Sequence, residues 1–134
     1  MAQSGISTTE GFEGHLTLIR RTFVADLAAR SDDLAAHMTT AAGPDGAGES
    51  LRQAARVAHR LVGVSGTLGF PLLGALARKA EDMLTRTASR PLDAAGRATA
   101  ARAVDRLRDG MATVSRTGRD CGERDLESAG GAAL

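Results

Sequence analysis

Three histidines, His15, His37 and His59, and one cysteine, Cys121, are the side chains of this 134-residue chain with the most to offer as nucleophiles or metal ligands. Cys121 on its own excludes an internal disulfide and any cysteine-based zinc site. His37 stands four residues after Asp33, a spacing that on a helix makes a surface contact sooner than half of a metal site. His15 has no partner at ligand spacing, so no metal site is expected. His59 differs because of what surrounds it. At about 100° per residue, Ala54, Val57, Leu61, Val64 and Leu68 all fall within about 40° of the direction opposite His59, so a helix here buries that stripe and turns the imidazole outward. The face of His59 itself carries Arg52, Ala55, Arg56, Val62, Gly63 and Gly66, with Arg60 at its edge. Two glycines within an exposed helical face cost roughly 1 kcal/mol each relative to alanine. Close approach by another molecule would account for them; tight helix–helix packing is the plainer alternative. An exposed imidazole, cleared on one side by glycines and flanked by guanidiniums that can neutralise oxyanions, is suited to holding a phosphoryl group. A solvated surface histidine is the plainer reading of the same residue.

Four helical segments must position this face. The first is expected to start at a capping box, Ser7-Thr8-Thr9-Glu10, and to bury Phe12, Leu16, Ile19, Phe23, Leu27, Leu34 and Met38. Gly43-Pro44-Asp45-Gly46 ends it, and Ser50 is the expected cap of the second, which runs to about Leu68 and stops at Gly69. Pro71 suits the first turn of the third, where Leu72, Leu73, Leu76, Ala80, Met83 and Leu84 form a stripe. After Arg90-Pro91, Asp93 is the expected cap of the fourth, with Ala100, Val104, Leu107, Met111 and Val114 as its seam. No segment alternates with period two. Short connections between these helices predict an all-α, antiparallel up-down-up-down four-helix bundle over residues 7–115, with 116–134 a poorly ordered tail.

Composition removes several functions. The aromatic share is 2%, with three Phe and neither Tyr nor Trp, so there are no stacking platforms for single-stranded nucleic acid. Lys+Arg 17 against Asp+Glu 16 gives net +1, which offers no general attraction for DNA or an anionic membrane. No apolar run reaches the roughly 18 residues of a membrane span, and Met1 to Glu10 lacks the pattern of a secretory signal, so a cytoplasmic location is expected. No Gly-rich loop ending in Lys-Ser/Thr is present, and no carboxylate cluster suited to Mg²⁺, so ATP is not the expected phosphoryl source.

The stretch Ala58-His59-Arg60-Leu61-Val62-Gly63-Val64-Ser65-Gly66-Thr67-Leu68-Gly69 resembles the active helix of histidine-containing phosphotransfer domains. That pattern has a hydrophobic residue two after the histidine, glycine four after it, then small residues and Leu-Gly, with a Leu-rich helix following as Phe70-Pro71-Leu72-Leu73 does here. The resemblance implies a monomeric phosphorelay intermediate. In it His59 accepts a phosphoryl group from the aspartyl phosphate of one receiver domain and passes it to another response regulator. The implied partners are receiver domains and a hybrid histidine kinase, docking on Arg52, Ala55, Arg56, Arg60, Val62, Gly63 and Gly66. The chain would need no cofactor of its own, Mg²⁺ being supplied by the receiver. One position departs from the family: its usual lysine three after the histidine is Val62. Arg56, about 60° from His59 one turn earlier, is the better stand-in, and Arg60, about 100° away, the poorer. The departure also suits a second function, an adaptor that binds a receiver or kinase without carrying phosphate.

Overall fold

The computed structural model describes residues 3–43, 46–90 and 93–122, with side chains from residue 11 onward. Four helices follow one another: α1 (Gln3–Ala41), α2 (Ala47–Thr67), α3 (Pro71–Ala88) and α4 (Ala94–Thr117). No strand occurs among the described residues. Each helix packs on its neighbours in the chain, and α4 closes the ring against α1. The apolar stripes meet inside this ring, where Leu27, Leu34, Leu51, Leu61, Leu73, Leu76, Leu84, Leu107 and Met111 are almost wholly buried. Each such side chain contributes about 1.5–3 kcal/mol on leaving water, whereas an exposed ion pair is worth about 0–1 kcal/mol. The core holds the bundle together.

Several punctuation signals act as their chemistry predicts. Gly69 takes a left-handed φ of 89° after α2, and Pro71 opens α3. The Asp93 carboxylate accepts from the Gly96 N–H at 2.7 Å and caps α4. Other expectations are corrected. α1 begins at Gln3, so residues 7–10 lie inside it. Ser50 is no cap: Gly46, left-handed at φ 71°, starts α2 nearly one turn earlier, and the Ser50 N–H donates to the Gly46 carbonyl at 3.0 Å. This early start puts the Glu49 carboxylate in the first turn, where the helix dipole favours it. Pro44, Asp45, Pro91 and Leu92 lie outside the described residues.

Two expected core residues of α1 stand in solvent, Phe12 at 64% and Ile19 at 40% exposure. The cause is length. At 1.5 Å per residue α1 reaches roughly 58 Å and α3 roughly 27 Å. Arg20 already meets the end of α2, its Nε donating to the Leu68 carbonyl at 2.9 Å, so the turns before it have little to lie against. Leu16 is partly buried against the core, and full burial sets in at Phe23, which stacks on Phe70 with ring centroids 5.8 Å apart.

At the other end of the chain, order continues past the expected boundary at Ser115. α4 runs to Thr117, Gly118 turns the chain at φ 68°, and the Asp120 carboxylate accepts from the N–H groups of Leu72 and Leu73 at 2.8 and 3.0 Å. Those are orphan donors of α3, whose own cap position, Phe70, offers no side-chain acceptor. Cys121 then enters the core at 1% exposure, so an apolar anchor and two hydrogen bonds order this segment. The rest of the expected tail, residues 123–134, lies outside the described residues.

Candidate functional site

The register of α2 sets the direction of every side chain in the site. Leu51, Ala54, Val57, Ala58, Leu61, Ser65 and Leu68 are buried. The buried arc is therefore rotated from the predicted stripe toward Ala58 and Ser65, the side on which α3 packs. Small residues permit this shift: Gly74 of α3 lies against Ser65 and the Val62 carbonyl. Val64 is the correction that follows, an expected core residue that stands 40% exposed.

His59 remains outward, its side chain 72% exposed. It is not alone. Glu81 of α3 reaches across, and its Oε2 lies 2.7 Å from the imidazole Nδ1. In the neutral ring, the tautomer whose Nδ1–H donates to this carboxylate carries its lone pair on Nε2. Sequence reasoning missed Glu81 because it sits on another helix. A signal existed in the near-equal distances of His59 and Glu81 from the Gly69 turn.

Arg52, Ala55, Arg56, His59 and Arg60 line one shallow depression of about 480 Å³ together with Glu81, Thr85 and Ala88 of α3 and its C-cap Ser89. The structure thus brings together five of the predicted residues and adds the α3 wall. Two of the depression's three arginines are already engaged: Arg52 Nε lies 3.2 Å from Glu49 Oε2, and Arg56 Nη1 lies 3.4 Å from Glu49 Oε1. Gln53 adds a third donor to the same carboxylate at 3.0 Å. The Arg52 hydrogen bond, helped by Gln53 and Arg56 against a desolvation cost, holds the Glu49 carboxyl below its usual range.

Val62, Gly63 and Gly66 lie on the C-terminal side of His59, outside that depression. Val62 is half-buried, whereas Gly63 and Gly66 are exposed, and a Cβ built on either glycine meets nothing within 4 Å. Tight packing within the molecule therefore does not explain these glycines. Beside them runs an apolar groove of about 530 Å³ between α1 and α2, lined by Leu18, Ile19, Phe23, Leu61, Val64 and Leu68, with Arg60 shared between groove and depression. His15 and His37 lie on α1, and among the described residues no group of three His, Cys, Asp or Glu is placed to hold a metal ion.

The family model of the Hpt domain matches residues 19–116. The chain belongs to the Hpt domain family. No curated protein and no solved structure matches it. The match runs from just before Arg20 in α1 to near the close of α4. Membership assigns this Hpt domain to phosphotransfer in two-component signalling, a process in which such domains engage response-regulator receivers and kinases. Among the described residues no helix is long and apolar enough to cross a membrane.

Proposed function

We propose that this Hpt domain is a phosphorelay intermediate with His59 as its phosphoryl carrier. The Nε2 lone pair attacks the phosphorus of a receiver's aspartyl phosphate; the Nε2–P bond forms as the P–O bond to the aspartate breaks and the carboxylate departs. The reverse step loads a second response regulator. The transition state is loose, so positioning and charge count for more than covalent assistance. The observation carrying this reading is the exposed imidazole with Nδ1 tied to Glu81 and Nε2 left to solvent.

Receivers are proposed to dock over Gly63, Gly66 and the adjoining groove, where exposed Val64, Leu18 and Ile19 await an apolar surface, with Arg52, Ala55, Arg56, Arg60 and Val62 around His59. The receiver brings its own Mg²⁺. The scaffold is proposed to be an up-down-up-down antiparallel bundle, acting as a cytoplasmic monomer. In support, α2 meets α3 at Val62 with Gly74 and at His59 with Glu81, so one numbering falls as the other rises. The phosphotransfer unit is taken to extend through Cys121.

Incubation with a phosphorylated receiver tests the proposal. Wild type is expected to acquire acid-labile, base-stable label, and His59→Gln, which has no ring nitrogen to bond phosphorus, to acquire none. Val62, in place of the family's usual lysine, favours the second reading, a docking adaptor. Receiver binding by an unlabelled wild type is the result that would establish it.

A further inference from the structure

We propose that Glu49 is an internal competitor for the arginines beside His59, and that phosphorylation of His59 draws Arg56, and behind it Arg52, away from Glu49 onto the phosphoryl oxygens. Arg56 sits one turn before His59 and Arg52 one turn further back, while Glu49 lies in the first turn of α2. Both guanidiniums line the depression that holds His59, yet both are drawn toward the N-terminus of α2 by this single carboxylate. All three side chains are more than half exposed, so these pairs are weak, screened by salt and easily exchanged. A phosphoryl group carries more charge than a carboxylate and presents three acceptor oxygens to the guanidinium fork, so it outcompetes Glu49 once it arrives. Glu81 sharpens the need, since a dianion on Nε2 shares its ring with a carboxylate held at Nδ1. Released guanidiniums supply the compensating charge, and Glu49 sets how much of it is free.

The inference rests on the reading of His59 as the phosphoryl carrier, and its test has one arm that does not. In the first arm the full chain is loaded with phosphoramidate, whose P–N bond breaks as the Nε2–P bond forms and ammonia leaves. Decay of the phosphohistidine is then followed. Glu49→Gln is expected to lengthen the half-life about threefold and Arg56→Gln to shorten it; in the Arg56→Gln background the Glu49→Gln gain is expected to shrink. In the second arm inorganic phosphate is titrated while the Arg52 and Arg56 Nε signals are followed by NMR, with about threefold tighter binding expected for Glu49→Gln. An unchanged half-life together with unchanged phosphate affinity in Glu49→Gln overturns the inference. Failure of the wild type to load, with the phosphate response intact, overturns the carrier reading and leaves the competition standing. Glu49→Ala serves as the second variant, and thermal melts of both check that the fold persists.

Discussion

Residue-scale chemistry turns on the pair His59–Glu81. If the carboxylate fixes the tautomer, Glu81→Ala slows transfer about tenfold, while Glu81→Gln, whose amide oxygen still accepts from Nδ1–H, recovers most of the rate. Phosphotransfer kinetics check this, and ¹⁵N shifts of the imidazole separate a tautomer effect from a purely structural one. His59 itself was legible because Ala54, Val57, Leu61 and Leu68 leave it only one direction to point. Its carboxylate partner was not, because an i,i+22 contact depends on how two helices meet and no single-helix projection contains that. Val64 failed for the opposite reason. The projection assumed a buried arc centred opposite His59, and the small Ala58 and Ser65 let α3 draw that arc aside.

Among the elements, the ends were legible wherever one residue's own backbone or side chain decides them. Gly69, Pro71 and Asp93 each act within their own turn. Ser50 misled because a good capping side chain yields to a glycine that can enter the helix earlier with positive φ. Asp120 could not be foreseen, since it caps a helix that begins 49 residues before it. Asp120→Ala is expected to destabilise the domain by about 1–2 kcal/mol, measured by urea unfolding, with the unfolding slope unchanged. Its effect on His59 labelling is expected to be small, because the cap sits at the far end of α3 from Glu81.

Taken whole, the molecule follows its sequence in class: four stripes at helical period make a ring of four helices. The expected use of all of α1 does not survive its length, and Phe12 is left outside. The same surface contains a separable test of docking. Gly63 and Gly66 sit in helical backbone with open space above them, so Gly66→Ala is expected to stabilise the fold by about 1 kcal/mol. It is expected also to slow receiver-dependent labelling at least tenfold while leaving phosphoramidate loading unchanged. A parallel loss in both assays would place the glycine's role within the domain instead of at its interface.

The Glu81 hydrogen bond has one more consequence under the proposed function. With Nδ1 occupied, a single nitrogen must serve arrival and departure alike, and both visitors must approach it along the same line. Giver and taker therefore exclude one another. Traffic through the relay is strictly alternate, and flooding the system with unphosphorylated taker starves it by blocking the seat the giver needs.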